Sequence, residues 1–338
     1  MKILIYADNG KGVGLGHLTR CISLAHKLVE FNHNTLLIVN EDRSYNLKNK
    51  FSKLKIEQIK FSEKKICNIK KEFKPDLFII DSYKFKEAFI SKIKKNVLTA
   101  GFDDFSELDL LFDIIINGIP GAENKNYCKS KFLLLGEKYQ IIKQDLLEKK
   151  RYQVKKQVKN LIILTGGDDN KNITIKICNH LNNLPLFIKK KINVHFIVGP
   201  YNNQNSVFNY KNINFHFNPT DLSDLMSKAD LAVTASGQTL FELCYLGVPS
   251  IAFLAGDDQK FNMDSLFEEE VILPIGNSTS PKFISKLNSA IIRMVTDHEM
   301  RGKLSKKSKN LIDGLGSVRI SNALKNIITN KSEVNDEL

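Results

Sequence analysis

Short apolar runs alternate with stretches of helical periodicity along most of the chain. Ile3 to Tyr6 is an unbroken apolar run and predicts a strand buried on both faces. Thr19 to Phe31 then gathers Ile22, Leu24, Ala25 and Leu28 toward one side, which predicts a helix. Thr35 to Val39, Leu77 to Ile80, Val97 to Gly101 and Ile114 to Ile116 follow as strands. A second series opens at Asn160 with LIILTGG and continues through VHFIVG, ADLAVTAS and PSIAFLA. Strand and helix alternating in this way predict an α/β protein with parallel sheets built from βαβ units. Between the two series lies QDLLEKKRYQVKKQVKN, residues 144 to 160, a polar stretch without an apolar strand that reads as a linker. The pattern therefore predicts two Rossmann-like domains, 1–150 and 151–338, with the last helix able to pack back on the first. The closing KSEVNDEL is expected to fray.

Composition narrows the class. A chain of 338 residues suffices for two cores, and 42% apolar with 26% charged residues suits a globular protein. No apolar run reaches the roughly 18 to 20 residues that span a bilayer. MKILIYAD lacks the long apolar stretch and cleavage site of a signal peptide, so a cytoplasmic protein with no membrane insertion is expected. Cys21, Cys67, Cys128, Cys178 and Cys244 are odd in number and never spaced as CxxC, which speaks against a disulfide framework or a zinc site. The net charge of +13 is almost all Lys, with Arg scarce. That balance disfavours nucleic acid and favours a mildly positive site for a phosphorylated ligand. Neither a cofactor nor a metal is expected, and the reading is of a monomer.

GKGVGLGHLTR, residues 10 to 20, is the first stretch that carries chemistry. Its glycines do not fit the GxGxxG spacing of dinucleotide folds, and Lys11 is followed by Gly12 rather than Ser or Thr. What is left is a strand-to-helix turn stripped of side chains, with Gly14 and Gly16 just before His17. A ligand could approach such backbone closely, with Arg20 one turn on. His17 falls at a helix N-terminus, which disfavours imidazolium and suits a neutral general base. The alternative is a histidine that only caps a tight turn.

TASGQTLFELCYLGVPSIAF, residues 234 to 253, is the second. A strand ends at Val233, Ser236 and Gly237 form a small-residue turn, and a helix starts near Gln238 and Thr239, whose backbone amides could hold a diphosphate. Glu242, one turn in, could accept two ribose hydroxyls, or could sit on an ordinary crossover helix. Gly247 reads as the helix C-cap. Gln259 in DDQKFN could meet sugar hydroxyls, or lie in a plain surface loop. Gly166 and Gly167 end the first strand of the second series, where phosphate contact is expected, with Asp168 facing the sugar or a backbone amide instead.

GVGLGHLTRCISLA resembles the GxGHxxRxxxLA signature of the nucleotide-sugar hydrolases of pseudaminic acid biosynthesis and their spore-coat polysaccharide relatives. These are GT-B-like proteins related to the peptidoglycan glycosyltransferases. DSY at Asp81 to Tyr83, FDD at Phe102 to Asp104, GEKYQIIKQDL, GGDD at Gly166 to Asp169 and DGLGSVRI match family segments in the same order. Lys143 replaces an Arg, and GGDD replaces GGTD. The resemblance implies two domains facing a central cleft and inverting, metal-independent C–O cleavage of a UDP-linked 2,4-diacetamido-2,4,6-trideoxyhexose to UDP and free sugar. His17 would then activate water, Tyr83 would position water or substrate, and Asp81 and Asp103 are further catalytic candidates. Gly14, Gly16, Arg20, Gly166, Gly167, Ser236, Gly237, Gln238, Thr239, Glu242 and Gln259 would form the substrate and UDP sites. The competing readings are a GT-B glycosyltransferase and a non-catalytic nucleotide-sugar-binding protein.

Overall fold

The computed structural model describes residues 1–41, 53–104, 112–127, 130–169, 171–181, 192–202, 213–220 and 222–336. Cys128 and the first part of the Lys-rich stretch NLKNKFSKLKIEQIK lie outside the described residues. The chain forms two compact units, Met1–Lys143 joined by Gly314–Leu338, and Gln144–Asp313.

The first unit runs β1 (Lys2–Ala7), α1 (Gly16–Glu30), β2 (Asn34–Asn40), β3 (Lys55–Ile59), α2 (Glu63–Phe73), β4 (Leu77–Asp81), α3 (Glu87–Lys94), β5 (Leu98–Phe102), β6 (Ile114–Asn117) and β7 (Phe132–Leu135). The second runs α4 (Gln144–Leu147), β8 (Asn160–Leu164), α5 (Ile173–Leu181), β9 (Asn193–Val198), β10 (Ile213–Phe217), α6 (Leu222–Lys228), β11 (Leu231–Ala235), α7 (Gln238–Leu246), β12 (Ser250–Leu254), α8 (Lys260–Glu268), β13 (Leu273–Asn277), α9 (Phe283–Thr296) and α10 (His298–Leu311). The chain closes with α11 (Gly316–Asp336).

The first sheet has the order β3-β2-β1-β4-β5-β6-β7 and the second β10-β9-β8-β11-β12-β13. Every ladder is parallel, as the alternation of strands and helices requires. In each sheet the direction of strand addition reverses once, between β1 and β4 and between β8 and β11. Loops leaving the carboxyl ends of two such strands diverge and leave room for a ligand.

Burial on both faces explains the apolar runs. β4 (LFIID) and β5 (LTAGF) are buried at every position. Ile3, Ile5 and Ala7 meet Leu18, Cys21, Leu24 and Leu28 of α1 on one face. Leu4 and Tyr6 meet Ile66 of α2 and Phe89, Ile90 and Ile93 of α3 on the other.

Four strands were not among those read from the sequence: β3, β7, β10 and β13. These are the four edges of the two sheets. An edge strand is half covered, and KIEQI of β3 is exposed or intermediate at all but its last residue.

The domain limits also differ from those read in the sequence. Gly314–Leu338 belongs to the first unit, because Ile320 and Leu324 of α11 enter the core beside α1. Gln144–Lys150 belongs to the second: Ser223 Oγ donates to Asp145 and Tyr245 Oη to the carbonyl of Leu147.

The stretch that follows is no free linker. The Arg151 guanidinium donates to the carbonyls of Tyr245, Lys309 and Ile312. Arg301, 0% exposed, donates to the carbonyls of Met294, Val295, Lys155 and Lys156. Two arginines thus fasten the strap to the ends of α7, α9 and α10.

Arg301→Met would leave those four carbonyls without their donor. We expect the full chain to lose roughly 2 to 4 kcal/mol of stability in chemical denaturation. A loss under about 0.5 kcal/mol would show that the strap is held by other means.

Candidate active site

In the first unit the candidate residues meet at the β1/β4 reversal. After Ala7 the chain must turn sharply to start α1 beside its own strand. Gly10, Gly12 and Gly14 do this with φ of +121°, +84° and +78°. The amides of Val13 and Gly14 both bond to the Gly10 carbonyl, closing the loop on itself. Open space surrounds each of these three α-carbons, so their requirement is conformational rather than steric. Gly10 shares it, although it lies farthest from His17. Gly16 is the first residue of α1.

His17 and Arg20 are three residues apart in α1 and share one face. Both reach Asp81, the last residue of β4. His17 Nδ1 is 2.6 Å from Asp81 Oδ1. Arg20 donates to Asp81 through Nε at 2.6 Å and Nη2 at 2.7 Å. The same guanidinium donates to Asp104 through Nη1 and Nη2, both at 2.8 Å. Cys21 Sγ donates to Asp81 at 3.4 Å, and Tyr83 Oη donates to Asp104 at 2.7 Å. The Tyr83 ring is set edgewise to His17 with centroids 5.0 Å apart. His17, Arg20, Asp81 and Tyr83 are therefore brought together.

Asp104 joins them and was missed in the sequence as a site residue, where Asp103 of the same FDD segment was favoured. Asp103 is fully buried at the end of β5, with its amide on the Ile116 carbonyl. Arg20, expected to touch substrate, commits its guanidinium to the two carboxylates.

Burial would push Asp81 toward the neutral acid, but the charges of Arg20 and His17 outweigh it and hold the carboxyl well below the usual range. An ionised Asp81 must accept, so the ring proton of His17 sits on Nδ1. Nε2 is then the nitrogen able to take a proton. Burial lowers the basicity of His17, yet the charge and hydrogen bond of Asp81 more than offset it and the net direction is up. This corrects the expectation of an imidazole kept neutral by the helix start. A carboxylate at 2.6 Å dominates the partial charge of a helix end.

In the second unit the candidates lie at the β8/β11 reversal. Gly166 has φ +108°, and Gly167 accepts from the amide of Tyr201. A Cβ on Gly199 would stand 2.6 Å from the Gly166 carbonyl, so that bare position lets the two loops meet. Asp169, within GGDD, caps α5 by accepting from the amides of Ile173 and Thr174 at 2.7 Å.

On β11's side, Gly237 is the N-cap of α7, Gln238 and Thr239 form its first turn, and Gly247 (φ +78°) ends it. Ser236 Oγ donates to the Phe253 carbonyl and Asn262 Nδ2 to the Ser236 carbonyl, both at 2.9 Å. Gln259 accepts from the Ala255 amide at 3.1 Å. Ser236 is thus tied to β12 and Gln259 to the loop after it, and Asn262 is a member that the sequence reading passed over. Glu242 is 0% exposed. Its side chain is withdrawn from solvent, unlike the solvent-facing Glu of a plain crossover helix. Among the described residues no group of three or more His, Cys, Asp or Glu is arranged to hold a metal, and no helix is long and apolar enough to cross a membrane.

Residues 138–315 match the glycosyltransferase family 28 C-terminal domain. The chain belongs to that family. The match covers more than half of the chain and spans the second unit. Protein MJ1062 of Methanocaldococcus jannaschii is 26% identical over 92% of this chain and 74% of its own length. The spore coat polysaccharide biosynthesis protein SpsG of Bacillus subtilis is 25% identical over 97% of this chain and 98% of its own. Among solved structures, MurG of Acinetobacter baumannii superposes with a TM-score of 0.65 at 14% identity, covering 96% and 99% of the two chains. The MnaA–UDP structure from S. aureus gives 0.68 at 14% identity, covering 97% of each. The fold is that of the GT-B glycosyltransferase-like proteins.

The His17–Asp81 pair gives stability a pH dependence of defined sign. The folded-state pKa of His17 lies above its unfolded value of about 6.5, so the gain is complete below that pH and is lost as pH rises through the folded value. The stability of the parent relative to His17→Gln should therefore fall from pH 6 to pH 9 in urea titrations at fixed salt. A difference that stays flat or grows over that range would contradict the pairing.

Proposed function

We propose that the protein is a hydrolase that cleaves a UDP-linked 2,4-diacetamido-2,4,6-trideoxyhexose at the anomeric carbon. The observation that carries this reading is the His17–Asp81 pair with Nε2 as the proton-accepting nitrogen, placed at a strand reversal. A bound water gives its proton to Nε2 as its oxygen bonds to the anomeric carbon from the face opposite the diphosphate. The bond from that carbon to the β-phosphate oxygen breaks, and its electron pair leaves on UDP. Tyr83 positions the water or the sugar.

The second unit takes the nucleotide. Backbone amides at the start of α7 and in the Gly166–Gly167 turn receive the growing negative charge of the diphosphate, and Glu242 accepts from the ribose hydroxyls. No metal is required in this scheme. The family 28 domain and the UDP named with the MnaA structure support a nucleotide-sugar substrate. SpsG supports a place in polysaccharide synthesis. The sugar itself rests on the resemblance of the GVGLGHLTR and DSY segments.

The family 28 match equally favours a second reading, in which a sugar or lipid hydroxyl replaces water. Incubation with the UDP-amino sugar and no acceptor separates the two. The hydrolase releases free sugar one-for-one with UDP, whereas a transferase leaves the substrate intact. His17→Ala should lower turnover by about two to four orders of magnitude while UDP affinity is kept. Glu242→Ala should weaken UDP binding by about 1 to 3 kcal/mol in calorimetry. Turnover of His17→Ala within about threefold of the parent would remove the base assignment, and unchanged UDP affinity in Glu242→Ala would remove the ribose contact.

A further inference from the structure

We propose that Asp104 is a positioning residue that sets the basicity and orientation of His17 from a distance, acting through Arg20. The proposal rests on the reading of His17 as the base. Asp104 makes no hydrogen bond to His17; it shares Arg20 with the carboxylate that does. A guanidinium has five N–H donors in one plane. Nε and Nη2 hold Asp81 while Nη1 and Nη2 hold Asp104, so the plane is pinned from two edges. The ring of Phe102 lies against it, 4.6 Å from Cζ to centroid, and covers one side.

Charge counting gives the consequence. Asp81 and Asp104 carry two negative charges against the one positive charge of Arg20. With His17 neutral the cluster is short by one positive charge, and a proton on the imidazole balances it. Arg20 Nη2 lies 3.3 Å from His17 Nδ1, a position that opposes that proton. Asp104, on the far edge of the guanidinium, neutralises this opposition and leaves Asp81 free to act on His17.

The other described groups around the imidazole make contacts of a different kind. Cys21 donates its thiol to Asp81, and burial pushes that thiol well above its ordinary range, so it stays neutral. Tyr83 meets the ring by its edge and gives its hydroxyl to Asp104. Asp103 is fully buried at the end of β5, its amide bonded to the Ile116 carbonyl. Asp104 is only partly buried, with 22% of its side chain exposed, and Tyr83 is 47% exposed. The basicity of a sheltered histidine is thereby linked to two groups that solvent or substrate can reach.

A purely structural Asp104 would only tie α1 to the end of β5, and the test separates that role. The His17 ring is followed by NMR through a pH titration of the full chain without substrate, with His17→Gln identifying its signals. Asp104→Asn keeps the shape and removes the charge, and the titration midpoint of His17 should fall by about one pH unit. Asp104→Glu should restore most of it. If Asp104→Asn does not fold, Asp104→Ser is measured for the same fall. An unmoved midpoint in a folded, charge-removed variant overturns the proposal, whatever happens to stability. The outcome is independent of the reaction: a parent that cleaves no UDP-sugar but shows the fall leaves Asp104's role standing and rejects the hydrolase. In an active enzyme the acid limb of kcat/KM should move down with the midpoint while KM changes little. A limb that stays in place as the midpoint falls would overturn the link between Asp104 and the base.

Discussion

Arg20 is a cation with a carboxylate on each edge, and the arrangement of the first unit follows from satisfying it. A guanidinium withdrawn from water costs several kcal/mol unless its donors are met by well-placed acceptors. Those acceptors come from two places far apart in the chain, Asp81 at the end of β4 and Asp104 after β5. They converge because β1, β4 and β5 are neighbours and α1 is the element that follows β1. The left-handed glycines at 10, 12 and 14 shape the loop that turns the chain from β1 into α1. A slip of α1 by one residue would remove both His17 and Arg20 from Asp81. The ion pair therefore fixes the register on which the proposed catalytic geometry rests.

The interior of both sheets was legible in the sequence because burial on two faces leaves an unbroken apolar run. LFII of β4 and LIIL of β8 admit no other reading once their length is considered. The polar edges were less legible: β3 places Lys55 and Glu57 where solvent meets it, and Asn214 and His216 interrupt β10. The polar strap at 144–160 looked like a linker because its anchors are arginine donors to backbone carbonyls. Neither Arg151 nor Arg301 leaves a periodic signature.

Of the candidate site, the sequence displayed what is local. The bare loop, the histidine three residues before an arginine, and the Asp and Tyr of DSY were all visible as motifs. The protonation of His17 was misjudged because the helix start adjoins it in the chain, while Asp81 stands 64 residues away. Tertiary contact decides such a balance, and a carboxylate at hydrogen-bond distance outweighs a helix terminus. Asp104 was passed over for the same reason: only its distance to Arg20 distinguishes it from Asp103. In the second unit, Ser236 and Gln259 bond to backbone of β12 and the loop after it, ties that the motif did not display. Backbone amides and the buried Glu242 are the groups proposed to meet a nucleotide.

The central claim is that His17 and Asp81 act as one unit, the carboxylate holding the imidazole so that Nε2 takes the proton. A double-mutant cycle on kcat/KM for UDP-sugar cleavage tests it most directly, using His17→Ala, Asp81→Asn and the pair. If the two form one device, the double variant should be about as slow as His17→Ala alone, because the second loss removes nothing further. Losses that simply multiply would mean that Asp81 acts apart from His17 and would contradict the account.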